Sequence, residues 1–177
     1  MTLFVAFLRG INVGGRTVKK EVLQQAFTAL EFQNVATYKQ SGNVIFESNS
    51  TNMEKLKKEI TEKLRSKLCY DVIVLLRTTE QLKSVLEKKT FQGQNLEGTS
   101  FLVTFLPTVA NFPVELPITI PKSTAQIIAA SGSEVFSVTH GGGEGALPNP
   151  FIESKLKLKA TTRNLNIIRE IVEKFSV

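Results

Sequence analysis

Near the N-terminus, Gly10-Ile-Asn-Val-Gly-Gly15-Arg16-Thr17 has the composition of a phosphate-gripping loop. Glycines let backbone N–H groups face an anion, and a cation beside a hydroxyl completes such a cradle. The spelling fits G-x-x-x-x-G-[KR]-T, with Arg16 where nucleotide-hydrolysing loops carry Lys. A planar guanidinium does not replace the compact ammonium at that point. No later apolar run ends in an Asp that could hold magnesium. ATP or GTP hydrolysis is therefore excluded. What is left is a basic glycine turn that either faces an anion or simply packs as a turn.

A second polar turn, Gln40-Ser-Gly-Asn43, lies between two strand-like runs and reads as a hairpin. A third polar stretch is Ala160-Thr-Thr-Arg-Asn164. There the threonines are expected to cap the last helix, with Arg163 in its first turn. The candidate ligand-binding residues are Arg9, Asn12, Gly14, Gly15, Gln40, Ser41 and Asn43, with Thr162, Arg163 and Asn164 as a second set. Catalytic residues and a cofactor are left unassigned.

The rare residues limit the chemistry. The chain holds one Asp (Asp71), one His (His140) and one Cys (Cys69). A Ser–His–Asp triad would have no spare members, and a zinc site would have to be built mainly from Glu. No metal site is expected. A lone cysteine permits no intrachain disulfide, which points to a reducing, cytoplasmic setting. His140 reads as an ordinary loop residue, and Cys69 as packing at an apolar helix end.

Charge is distributed unevenly. Residues 1–90 carry 15 Lys and Arg against 9 Asp and Glu, while residues 91–177 carry 7 against 7. The whole net charge of +6 thus lies in the first half, the half with the two glycine turns. An anionic partner is one explanation, and a lysine-rich solvated helix the other. Arg16, Lys19 and Lys20 at the start of the first helix oppose its dipole, an arrangement that an anion between them would relieve.

These residues must be positioned by an α+β fold. The apolar run 2–8, the amphipathic stretch 18–31, strands at 34–39 and 43–48, a helix at 52–68 and a strand at 71–77 give βαββαβ, the ferredoxin-like order. In that order the first two strands run parallel, so both polar turns leave the same edge of the sheet. Leu3, Val5 and Phe7 alternate with Phe4, Ala6 and Leu8, so both faces should be buried, the second half being the cover. That leaves no open aromatic face for stacking RNA bases.

Residues 1–78 are expected to form the ferredoxin-like subdomain and 79–177 a second, smaller α+β subdomain packed on it. Thr78-Thr79-Glu80-Gln81 offers capping chemistry for a helix. Residues 100–106 read as a strand, and 107–122 as irregular, since four of six prolines lie there. Segments 124–130 and 134–139 read as a hairpin, His140–Leu147 as a glycine-rich loop, Asn149-Pro150 as a helix cap followed by proline at the first helical position, and about 163–175 as the final helix. FVAFL (4–8) echoes LVTFL (102–106), and SGNVIF (41–46) echoes SGSEVF (131–136), as a degenerate repeat would.

Leu8-Arg-Gly-Ile-Asn-Val-Gly-Gly15, Tyr38-Lys-Gln-Ser-Gly-Asn-Val-Ile-Phe46 and Ala160-Thr-Thr-Arg-Asn164 together resemble the family of domain of unknown function 1697. The resemblance implies a cytoplasmic bacterial or archaeal protein with a ferredoxin-like first subdomain and a related second one, and no activity. Leu165 and Ile167 stand where that family commonly has Trp and Thr, and the segment after Gly15 is about a residue shorter. The leading expectation is a binding protein for a phosphate-bearing or nucleic-acid ligand, with no membrane partner. The alternatives are an enzyme using Arg9, Asn12, Ser41 and Arg163, and a protein-interaction module whose motifs are tight turns only.

Overall fold

The computed structural model describes residues 1–12, 14–39, 42–94, 97–141 and 147–175. The chain divides into two compact units, Met1–Lys83 with Ile171–Val177, and Ser84–Glu170.

In the first unit β1 (Thr2–Arg9), β2 (Gln33–Tyr38), β3 (Asn43–Ser48) and β4 (Ile73–Thr78) form one antiparallel sheet, ordered β2-β3-β1-β4. With α1 (Lys20–Thr28) and α2 (Met53–Leu68) this is the expected ferredoxin-like βαββαβ arrangement. β1 is central, hydrogen-bonded to β3 and β4, which is why its apolar run is continuous rather than alternating. Phe4, Ala6 and Leu8 join Leu23, Phe27, Leu56, Ile60 and Leu64 in one core. Phe46 anchors it, with ring centroids 5.5, 5.3 and 4.5 Å from those of Phe4, Phe27 and Phe32. Each such ring contributes about 1.5–3 kcal/mol by leaving water. On the opposite face Val5, Phe7, Ile45 and Leu75 are buried as well, as the two-sided pattern requires.

Helix α2 begins one residue later than the periodicity alone indicates. Asn52 is its cap, its Oδ1 accepting the Lys55 N–H at 3.0 Å. Cys69 corrects an expectation: it is exposed rather than packed. It lies past the last turn in the left-handed conformation (φ +61°), off the apolar stripe. The capping chemistry after β4 is realised before α3 (Thr79–Glu87). Thr78 N–H donates to Gln81 Oε1 at 2.9 Å, and Gln81 N–H to Thr78 Oγ1 at 3.2 Å, a reciprocal capping box.

In the second unit β5 (Thr99–Phe105), β6 (Ile118–Thr119), β7 (Ala125–Ser131), β8 (Glu134–His140) and β9 (Thr161–Asn164) form an antiparallel sheet ordered β6-β7-β8-β5-β9. α4 (Asn149–Leu156) lies between β8 and β9 in sequence, and α5 (Leu165–Phe175) follows β9 directly. Strand β9 corrects the expectation that Arg163 opens the last helix. Thr161–Asn164 pair with Leu102–Phe105, and the helix starts at Leu165, two residues later than expected. Its cap is Asn164, whose Oδ1 accepts the Asn166 N–H at 2.9 Å, rather than a threonine. The cap residue of α4 is likewise Pro148, not Asn149. His140 closes β8, and its Nδ1 stands 2.9 Å from Thr99 Oγ1. Gln40, Ser41 and residues 142–146 of the glycine-rich loop lie outside the described residues.

The order β7-β8-β5-β9 repeats β2-β3-β1-β4 strand for strand. The Leu8 N–H bonds Gly42 C=O at 2.7 Å, and the Leu106 N–H bonds Ser133 C=O at 2.8 Å. Hydrogen bonding thus matches Gly42 to Ser133. The sequence echo, which matches Gly42 to Gly132, is one residue out of register.

Candidate functional site

The geometry of the first unit follows from its sheet. β1 and β2 run in the same direction with β3 antiparallel between them. Their C-terminal ends, the start of β3 and the start of α1 therefore meet at one edge. A cleft of about 760 Å³ opens there. One wall is the loop and helix start: Ile11, Asn12, Thr17, Val18, Lys19, Lys20, Glu21 and Leu23. The other is the end of β2 and the beginning of β3, with Thr37, Lys39, Gly42 and Asn43.

The loop is held from within and from below. Asn12 Oδ1 accepts the Val18 N–H at 3.0 Å, joining the loop's two ends. Tyr70 Oη donates to Ile11 C=O at 3.3 Å. The guanidinium of Arg16 lies over the Tyr70 ring, 4.4 Å from its centroid, so this cation is stacked rather than among the residues lining the cleft. Beside Tyr70, Arg65 Nε donates to Asp71 Oδ1 at 2.6 Å. That bond holds the exposed Asp71 carboxyl below the usual carboxylate range. Its small stabilising effect is complete above that range and fades as pH falls through the lowered value.

The helix start carries positive charge and no cap. Lys19 is the cap residue of α1, with extended backbone (φ −68°, ψ 145°) and no side-chain cap hydrogen bond. Lys20 opens the helix, and Lys39 faces it from the other wall with its backbone in the left-handed region (φ +53°). Glu21 is the one carboxylate lining the cleft among the described residues, 4.0 Å from Lys20 Nζ.

The sequence-derived candidates divide as follows. Asn12 and Asn43 line the cleft. Asn43 is buried (1% exposed) and its Nδ2 donates to Tyr38 C=O at 3.1 Å, which fixes the hairpin. Arg9 ends β1 opposite Ile73 of β4 and is not among the lining residues. Gly14 and Gly15 lie on the exposed crest of the loop, outside the lining. Gln40 and Ser41 fall outside the described residues. Thr37 on β2 and Lys39 just past its end line the cleft, yet no sequence motif singles them out.

Thr162, Arg163 and Asn164 belong to the second unit, where their bonds are architectural. Thr162 Oγ1 donates to Asn149 Oδ1, and Thr104 Oγ1 stands 2.7 Å from Thr162 Oγ1. Asn149 Nδ2 in turn donates to Ala160 C=O at 3.1 Å. Arg163 Nη1 donates to Thr161 Oγ1 at 2.8 Å and to Thr162 C=O at 2.9 Å. The residue as a whole is half-buried, but its guanidinium is densely surrounded by protein, and that desolvation lowers its pKa to about 10. It stays charged at neutral pH.

Among the described residues no group of three or more His, Cys, Asp or Glu is placed to hold a metal ion. No helix there is long and apolar enough to cross a membrane.

Comparison with known proteins agrees with the fold. Residues 1–136 match the family described as "Protein of unknown function (DUF1697)". A solved structure, that of the conserved bacterial protein SP0830 from Streptococcus pneumoniae, is similar over 100% of this chain and 99% of its own, with a TM-score of 0.70 and 20% sequence identity. At that identity the likeness concerns the fold alone. No curated protein matches.

Proposed function

The chain belongs to the DUF1697 family of proteins of unknown function, and from the geometry of its first unit we propose that it binds an anionic ligand, phosphate-bearing or nucleic acid, in the cleft at the start of α1. One observation carries this reading. Lys19 and Lys20 on one wall and Lys39 on the other surround a cleft of about 760 Å³ at a helix start that has no side-chain cap. Cations at a helix N-terminus oppose the dipole by a few tenths of a kcal/mol each. An anion in the cleft offsets that repulsion, attracted by the lysines and accepting from the helix N–H groups. The first half's excess of basic residues acts in the same direction at longer range. A single cysteine fits a cytoplasmic setting.

A thermal-shift panel of nucleotides, pyrophosphate, short RNA and short DNA tests the proposal. A ligand present at about a hundred times its Kd should raise the midpoint by roughly 5–10 °C. The double variant Lys19→Ala, Lys39→Ala should lose most of that shift, and wild-type binding should weaken as salt is raised. No stabilisation by any member of the panel, with the double variant indistinguishable from wild type, would remove the basis for an anion site.

A further inference from the structure

Resting on that anion-binding reading, we infer that the cleft takes a phosphorylated polyol, a small molecule with a phosphate at one end and hydroxyl groups along its body, rather than a nucleotide base or a nucleic-acid strand. The volume of about 760 Å³ lies within the range of small-molecule sites, roughly 300–1,000 Å³. Among the described residues lining it none is aromatic. Single-stranded nucleic acids and free bases draw much of their affinity from stacking on aromatic rings, about 1–3 kcal/mol per base, and none of the described lining residues offers one.

The polar lining fits hydroxyl groups. Thr17 and Thr37 line opposite walls, and a threonine hydroxyl both donates and accepts. Glu21 is the most selective feature. An ionised carboxylate only accepts hydrogen bonds, and it repels a polyphosphate that fills the cleft. It is matched instead by a hydroxyl donor, while Lys19 and Lys39 meet the phosphate.

Calorimetric titration of the full chain with ribose 5-phosphate, ribose, inorganic phosphate, AMP and a short single-stranded RNA decides the matter. Ribose 5-phosphate should bind about tenfold tighter than inorganic phosphate, from two or more added hydrogen bonds. AMP should bind no tighter than ribose 5-phosphate. Glu21→Gln should move the two ligands in opposite directions: about fivefold weaker for ribose 5-phosphate, and about twofold tighter for inorganic phosphate as repulsion is removed. Thr37→Val should weaken ribose 5-phosphate about fivefold and leave inorganic phosphate unchanged. If AMP or RNA binds tenfold tighter than ribose 5-phosphate, or if inorganic phosphate binds equally well, the polyol assignment is overturned while the anion site stands. If no anion binds, inorganic phosphate included, both are overturned.

Discussion

Gly42→Ala is expected to lower the thermal midpoint by roughly 6–12 °C, the equivalent of about 3 kcal/mol at this chain length. The backbone of Gly42 is in the left-handed region (φ +69°), where a β-carbon is strained. That β-carbon would also stand 2.8 Å from Leu8 C=O and 2.8 Å from Ile11 Cδ1. The Ile11 terminus can rotate away, but the Leu8 carbonyl belongs to the central strand. The two backbones cannot part easily, because the Leu8 N–H donates to Gly42 C=O at 2.7 Å. Gly15→Ala is the control. Gly15 also has positive φ (+79°), but nothing lies within 4 Å of a β-carbon there, so only the local strain of about 1 kcal/mol is expected. Differential scanning calorimetry of the two variants separates the effects. Equal losses would mean that packing against β1 is not what selects glycine in the hairpin.

Asn149→Leu is expected to destabilise the protein by about 2–4 kcal/mol, seen as a lower urea midpoint with an unchanged slope. Asn149 is buried and joins three segments. It accepts from Thr162 on β9 and donates to Ala160 C=O, and Thr162 in turn meets Thr104 on β5. Since Thr162 donates to Asn149, its oxygen accepts from Thr104, and the three bonds run in one direction. Leucine in place of Asn149 removes the Nδ2 donor from the Ala160 carbonyl and the Oδ1 acceptor from the Thr162 hydroxyl, which keeps Thr104. Thr162→Val breaks the same chain at its middle and should cost about 1–2 kcal/mol. The double variant should cost clearly less than the sum of the single variants, because the residues share one network. Strict additivity would mean that they act separately.

That network explains why the third motif reads in sequence as the start of the last helix. Thr161–Asn164 carry the residue types of a helix cap, and nothing local separates that from a four-residue edge strand. Pairing with β5 decides it, and β5 lies some sixty residues earlier in sequence. The first unit was more legible because its signals are local and repeated. A continuous apolar run marks the central strand, helical stripes mark α1 and α2, and a glycine turn joins β2 to β3. The parallel direction of β1 and β2 follows from the element order, and with it the edge where the cleft opens. What the sequence could not convey is the direction of each side chain at that edge. Arg16 belongs to the loop motif yet stacks on Tyr70, while Lys39, part of no anion motif, lines the cleft with its Nζ 5.5 Å from the Tyr38 ring centroid. The offset between the two hairpins has a similar cause. Similar letters align at the turns, but the ladder hydrogen bonds align one residue later.

The central proposal is that the edge of the first sheet binds an anion between α1 and the end of β2. A ¹H–¹⁵N NMR titration of the chain with inorganic phosphate tests it most directly. Saturable shifts concentrated on the amides of Thr17, Val18, Lys19, Lys20 and Glu21 and of Lys39, Gly42 and Asn43, lost in the Lys19→Ala, Lys39→Ala variant, are the predicted result. Shifts that do not saturate, or that gather on other residues while these amides stay still, would contradict it.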